Sequence, residues 1–103
     1  MLKEKELQKV QESFAKAKDR LTFVFEALGD QTRLNIFRLL SRKKGLCVTD
    51  VANVFHMSVP AASYQLKLLE IVGLAKRQRE GKMICYQLKE EDPVVQKVMK
   101  LVL

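Results

Sequence analysis

Small and polar side chains between residues 58 and 68 form a pattern suited to contacting the edges of nucleic-acid bases. Ala62, Leu66 and Leu69 recur at i, i+4 and i+7, which predicts the buried face of a helix. At about 100° per residue, the opposite and flanking positions are small or polar near the N-terminal end, where a helix in the major groove meets base edges. These positions are Pro60, Ala61, Ser63, Tyr64, Lys67 and Leu68.

A basic hairpin is predicted directly after this helix, and we call it the wing. The run LAKRQREGKMICYQL contains two extended segments around Glu80-Gly81-Lys82, and the second segment alternates with the period of a strand. Its basic side chains suit contact with a phosphate backbone better than burial in a core. They are Lys76, Arg77, Arg79 and Lys82.

The stretch TDVANVFHMSVPAASYQLKLLEIVGL predicts two short helices joined by a tight turn, a helix-turn-helix. Thr49 is predicted to cap the first helix, and His56 and Met57 are predicted to form the turn. Ser58 is predicted to cap the second helix, with Pro60 in its first turn, and Gly73 to end it in a left-handed conformation. Periodicity alone also fits two core helices of an ordinary bundle, and the basic wing favours the helix-turn-helix.

The two cysteines and the single histidine are the other groups capable of chemistry. Leu46-Cys47-Val48 predicts a third strand beside the wing, and Cys85 lies in the second wing strand, so the two thiols are expected to be near neighbours. Each is either a small packing residue or half of a thiol switch whose oxidation releases bound DNA. Cys47 with His56 is too small a set for zinc, and as a nucleophile and base they lack an orienting acid. We therefore expect no metal, no cofactor and no catalysis.

Two terminal segments are predicted to join subunits. Residues 3 to 28 carry apolar side chains at spacings of three and four, with a possible break at Asp19, and this narrow seam favours a subunit contact. A C-terminal helix opening at Asp92 and Pro93 is apolar on more than one side. Between them, Asp30 is predicted to cap a central buried helix. The predicted dimer contacts are Leu7, Val10, Phe14, Leu21, Val95, Val98 and Val102.

Composition limits the class of protein and its partners. A chain of 103 residues is large enough for one domain, and no apolar run approaches the roughly 20 residues that span a bilayer. The charged N-terminus does not resemble a secretory signal, so a cytoplasmic location is expected. The net charge of +7 indicates a polyanionic partner, nucleic acid first and an acidic membrane second.

ALGDQTRLNIFRLL, the helix-turn-helix and the wing together resemble the ArsR/SmtB winged-helix repressors over about residues 26 to 88. The resemblance implies a winged-helix homodimer that binds an operator and is released by an inducer. It also implies that DNA is read from the positions of Ser58, Ala61, Ser63, Tyr64 and Gln65. The family's Cys-x-Cys metal pair is incomplete, since Thr49 follows Cys47 at that spacing, and the last helix has no histidine for a second site.

The resulting prediction is a single, mainly helical winged helix-turn-helix domain with a small β-hairpin, spanning residues 1–103. Residues 1–28 and 92–103 are predicted to dimerise, and residues 30–88 to form the DNA-binding core. The predicted function is a homodimeric repressor that binds a double-stranded DNA operator in the cytoplasm, with no membrane partner. The alternative is a winged helix that contacts other proteins and does not bind DNA specifically, so that its basic surface is incidental.

Overall fold

The computed structural model describes residues 1–103 as six helices and one small sheet. In chain order these are α1 (Glu4–Ser13), α2 (Arg20–Leu28), α3 (Gln31–Arg42), β1 (Leu46–Cys47), α4 (Val48–Val54), α5 (Val59–Ile71), β2 (Ala75–Glu80), β3 (Met83–Leu88) and α6 (Pro93–Val102). The strands are antiparallel in the order β1-β3-β2. None of the helices combines the length and apolarity that crossing a bilayer requires.

The core forms around α3, as the apolar stripe of that helix predicts. Ile36, Phe37 and Leu40 are buried and belong to one apolar cluster with residues of every other element except α1 and the two-residue strand β1. Asp30 caps α3, because its Oδ2 accepts a hydrogen bond from the backbone N–H of Arg33 at 3.0 Å. The predicted central position of this helix is confirmed.

The N-terminal segment is two helices rather than one. Asp19 caps α2, its Oδ1 accepting from the Thr22 backbone N–H at 3.0 Å, so the predicted break is confirmed. Val24 and Ala27 of α2 are buried, whereas α1 buries no residue at all. The apolar seam of α1 is therefore exposed. It comprises Leu7 and Val10 and continues to Phe14, directly after the helix.

The C-terminal helix differs from the prediction. Val95 and Val98 belong to the core of their own chain, with 0% and 8% of their surface exposed, and Val102 is half-buried. These residues were predicted to contact a second subunit, and for Val95 and Val98 that prediction is wrong. Their i, i+3 spacing forms one stripe, which packs against the cluster around α3. The exposed apolar residues of this end are Leu101 and Leu103.

The first helix of the helix-turn-helix begins one residue before Thr49, which was predicted to be its cap. Val48 is the first residue of α4, and Cys47 occupies the cap position. The cause is Asp50, whose Oδ2 accepts a hydrogen bond from the Cys47 backbone N–H at 2.9 Å. The helix therefore starts directly after a two-residue strand, and Thr49 lies exposed in its first turn.

Both motif helices end in the same left-handed turn. At the end of α5 the Leu74 N–H donates to Leu69 O and Gly73, with φ of 79°, donates to Glu70 O. At the end of α4 the equivalent left-handed position is His56, with φ of 52°. Met57 N–H donates to Ala52 O there, completing the same pattern. His56 is thus the turn residue that was predicted.

One arginine joins the ends of three helices. Arg20 at the start of α2 donates from Nη2 to Asp92 Oδ2 at 2.6 Å and to Gly73 O at 3.1 Å. Asp92 caps α6 through the Val94 backbone N–H, and Gly73 follows α5. The hydrogen bond from Arg20 holds the pKa of the Asp92 carboxyl below its ordinary value of 3.8.

Candidate nucleic-acid interface

The second helix of the motif, α5, presents the predicted face outward. Ser58 caps it, its Oγ accepting from the Ala61 backbone N–H at 3.2 Å, and Pro60 lies in the first turn. Ala61 and Lys67 are exposed and 61% of the Tyr64 surface is exposed, while Ala62, Leu66 and Leu69 are buried. The N-terminal half of α5 therefore offers small and hydroxyl-bearing groups to solvent. We call α5 the reading helix.

Gln65 differs from its neighbours because its side chain is already bonded within the chain. Its Oε1 accepts a hydrogen bond from Nη1 of Arg33 at 2.9 Å, and Arg33 Nε donates to Ala27 O at 2.7 Å. Gln65 is half-buried on the side toward α3. A bidentate contact with adenine would use the same Oε1, so it requires this hydrogen bond to open. No pattern in the sequence indicated the partner Arg33, which lies 32 positions earlier.

A cleft of about 350 Å³ separates the reading helix from the wing. Ser63 and Lys67 line it from the reading helix, and Arg77, Lys82 and Met83 line it from the wing. The remaining walls are formed by Cys47, Val48, Thr49, Val59, Ile84 and Tyr86. Three cationic groups thus face one groove that lies beside the exposed face of the reading helix, which is an arrangement suited to a phosphate backbone.

The four basic wing residues divide into two groups. Lys76 Nζ lies 3.8 Å from Glu91 Oε1, and Arg77 Nε lies 3.8 Å from Glu70 Oε2. Arg79 and Lys82 are exposed and form no ion pair within the chain.

Strand alternation separates these residues further. Lys76 lies on the opposite face of β2 from Arg77 and Arg79. The structure therefore places Arg77 and Lys82 in the cleft and leaves Lys76 outside it, paired with an acid. Gly81, with φ of 61°, makes the turn between the two wing strands.

Tyr86 forms part of the cleft and carries an unusual hydroxyl. The side chain is 1% exposed, and its oxygen is buried without a hydrogen-bond partner in the chain. Burial raises the pKa of this phenol above 10.0, and the carboxylate of Glu70 raises it further while Arg77 opposes the change. The hydroxyl is accordingly neutral at physiological pH.

The two cysteines form a disulfide across the sheet. Cys47 of β1 pairs directly with Cys85 of β3, and their Cα atoms are 3.7 Å apart. The predicted proximity of the two sulfurs and the third strand beside the wing are confirmed. Glu80 of β2 offers a carboxylate oxygen that lies within 4.8 Å of both sulfurs. Sequence reasoning missed Glu80, because an acid near a hairpin tip normally faces solvent.

A helix-turn-helix followed by a hairpin that shares a basic cleft with its second helix defines the winged helix-turn-helix class. Residues 30–77 match the model of the bacterial regulatory proteins of the arsR family. An uncharacterized HTH-type transcriptional regulator of Methanocaldococcus jannaschii is 33% identical over 79 residues, which are 77% of this chain and 86% of that protein. The chain belongs to the arsR family.

Two further relatives extend the comparison. A CadC homolog of Staphylococcus aureus, a cadmium resistance transcriptional regulatory protein, is 47% identical over 68 residues, which are 66% of this chain and 56% of that protein. The chain thus spans little more than half the length of this relative. A homodimeric winged helix-turn-helix DNA-binding domain from Mycobacterium bovis, a possible ArsR-family regulator, is 28% identical with a TM-score of 0.71, over 86% of each chain.

Proposed function

We propose that the protein is a sequence-specific, double-stranded DNA-binding transcriptional regulator, a homodimeric repressor that leaves its operator on a signal still to be identified. The observation that carries this proposal is the pairing of an exposed reading-helix face with a basic cleft. Tyr64 and Ala61 are free to contact bases, while Lys67, Arg77 and Lys82 face the groove where a phosphate strand would pass. Its place of action is the cytoplasm, and its role is binding, not catalysis.

Dimerisation follows from the exposed seam of α1. A ten-residue helix that buries nothing is marginal in water and gains stability by packing its apolar side against a partner. The homodimeric domain from Mycobacterium bovis supports the same assembly here. Two linked reading helices would engage half-sites about one helical turn, roughly 34 Å, apart on an imperfect palindrome.

The decisive experiment selects binding sites from a pool of random duplexes and then measures affinity by fluorescence anisotropy at several salt concentrations. We expect the selected operator to bind more tightly than random DNA and the affinity to fall steeply with salt, because released counterions drive phosphate contacts. Binding to no duplex, or binding to DNA that is insensitive to salt, would favour the protein-interaction alternative.

Two variants separate base reading from phosphate contact. Tyr64→Ala should reduce discrimination between the right and wrong base pair at one position by about 1–3 kcal/mol, because the substitution removes the ring that contacts the base edge. Lys82→Ala should weaken binding to all sequences and reduce the steepness of log binding constant against log salt concentration by about one. Lys97→Ala, on the exposed surface of α6, is the matched control and should do neither. Equal effects of the first two variants on operator and random DNA would contradict the assignment.

One candidate for the signal that releases the operator is oxidation of the cysteine pair, and the disulfide between Cys47 and Cys85 favours it. The bond joins the start of α4 to the wing, so its formation would change how firmly the wing is held against the reading helix. Operator affinity is to be measured for the oxidised and the reduced dimer, with Cys85→Ser as the variant that cannot form the bond. Equal affinity in both states, with the free thiols counted in each, would exclude a redox signal.

A further inference from the structure

We propose that the reduced forms of Cys47 and Cys85, together with Glu80, bind one thiophilic divalent cation of the Zn²⁺ or Cd²⁺ kind. The three donor atoms lie within 4.8 Å of one another. The set is distinct from the incomplete Cys-x-Cys pair at Cys47 and Thr49, and it uses no residue of the last helix. It also needs no DNA, so it stands apart from the proposed function.

The sheet positions these ligands on one face. Each strand supplies one of them: Cys47 comes from β1, Glu80 from β2 and Cys85 from β3. Cys85 is the cross-strand partner of both Cys47 and Gln78, and Glu80 lies two residues beyond Gln78 on the same face of β2. Strand pairing therefore fixes the relative positions of the three side chains before any ligand arrives.

The chemistry of the donors selects the ion. Two thiolates and one carboxylate match the preferences of Zn²⁺ and Cd²⁺ and do not suit Mg²⁺ or Ca²⁺, which take oxygen ligands. Ligands about 2.3 Å from a tetrahedral ion lie roughly 3.8 Å from one another. The two sulfurs, which are bonded to each other in the oxidised chain, must therefore separate on reduction, whereas the Glu80 carboxylate oxygen already lies within 4.8 Å of both. With three protein ligands, the fourth position is left to water.

Cation binding and the disulfide exclude each other, because both use the sulfur atoms of Cys47 and Cys85. A dithiol reductant must first supply two electrons and two protons, which break the S–S bond, form two thiols and leave the reductant as its own disulfide. The cation then displaces one proton from each thiol, because the thiolate is the ligand. The oxidised chain has only the Glu80 carboxylate to offer.

The site is built into the region that positions the wing. Cys47 caps α4, and Cys85 lies next to Tyr86, whose ring lines the cleft between the wing and the reading helix. A cation bound to residues of all three strands would therefore hold strand β3 of the wing to the start of α4 in the reduced protein. The disulfide makes the same connection in the oxidised protein.

The test uses the whole 103-residue chain, which is reduced with dithiothreitol and then separated from it without exposure to air. The reduced chain is titrated with Co²⁺ and then Cd²⁺ in the absence of DNA. We expect one ion per chain, visible absorption of tetrahedral Co²⁺, and thiolate-to-cadmium absorption in the ultraviolet. Two protons should be released for each ion bound near neutral pH. The oxidised chain should show none of these signals.

Variants assign the ligands. Glu80→Gln should weaken Cd²⁺ binding by more than about tenfold, the scale on which coordination partners act, without altering the fold, since Glu80 is exposed. Glu91→Gln, an exposed acid outside the cluster, is the matched control and should bind as the native chain does. Cys85→Ser should abolish the thiolate absorption at one equivalent of ion.

Three results would overturn the proposal: no thiolate absorption in the reduced native chain, equal affinities of Glu80→Gln and Glu91→Gln, or binding by the oxidised chain. Operator binding is measured on separate samples, so failure of the ion titration leaves the proposed function untouched. Failure of operator binding likewise leaves the ion titration interpretable.

Discussion

Replacing Phe14 by lysine and, separately, Val98 by lysine distinguishes the subunit interface from the core. Phe14 is 83% exposed in the chain, so the substitution removes no internal packing, whereas Val98 is 8% exposed within the core cluster. The same new charge at the two positions should therefore act on different equilibria. Phe14→Lys should act on association and Val98→Lys on folding.

The magnitude for Phe14 follows from the surface it can bury. Full burial of a phenylalanine contributes about 1.5–3 kcal/mol, and a symmetric dimer contains two copies, so the loss is about 3–6 kcal/mol. At about 1.4 kcal/mol per factor of ten, the dimer dissociation constant should rise roughly 10²- to 10⁴-fold. Sedimentation equilibrium at micromolar concentration measures it, and Gln8→Lys, which adds the same charge away from the seam of α1, should remain a dimer.

Val98→Lys should instead lower the free energy of unfolding by at least about 2 kcal/mol, because an apolar contact is lost and a charge enters the core. For a domain of this size that is a fall of roughly 8–16 °C in Tm, measured by circular dichroism. A Phe14→Lys protein that stays dimeric would refute the role of α1. A Val98→Lys protein with native Tm would refute the position of α6.

Three smaller predictions follow from local geometry. His56→Gly should raise the free energy of unfolding by about 0.5–1 kcal/mol in chemical denaturation, because His56 occupies a left-handed position that suits glycine, and Gly73→Ala at the matching position should lower it. Tyr86→Phe should be neutral or stabilising by up to about 1 kcal/mol, since the buried hydroxyl has no partner; clear destabilisation would mean that it has one. The carboxylate of Asp92, whose pKa is lowered chiefly by the Arg20 hydrogen bond, should stabilise the fold fully above pH 3.8 and lose that contribution as the pH falls through the lowered pKa. Asp92→Asn should therefore flatten the acid limb of a plot of Tm against pH, and an unchanged limb would contradict the assignment.

The helix boundaries that local chemistry controls could be predicted from the sequence. Ser58, Pro60 and Gly73 act within a few residues of their own positions, so their types indicate where the reading helix begins and ends. The third strand was also predictable, because a short apolar run between a helix and the motif has few places to pack. Thr49 was assigned wrongly as a cap because the Asp50 carboxylate accepts the backbone N–H of Cys47, which moves the cap position two residues earlier.

Other features depend on contacts that are distant in sequence. The apolar pattern of α6 could not show which side faces the chain's own core, since a ten-residue helix with six apolar positions fits either partner. Gln65 looked free because its partner Arg33 lies on another helix. Glu80 joins the cysteines only after β2 pairs with β3, and no spacing in the sequence contains that information.

The disulfide closes a covalent ring that holds both halves of the proposed DNA-contacting surface. Cys47 and Cys85 are 38 positions apart, and the ring between them contains α4, the reading helix, β2 and the wing tip. Closing a loop of this length restricts the unfolded chain by about 4 kcal/mol. In the oxidised state, therefore, unfolding of the terminal helices cannot carry the reading helix far from the wing. A protease cut between them would leave one connected molecule until a reductant opens the ring.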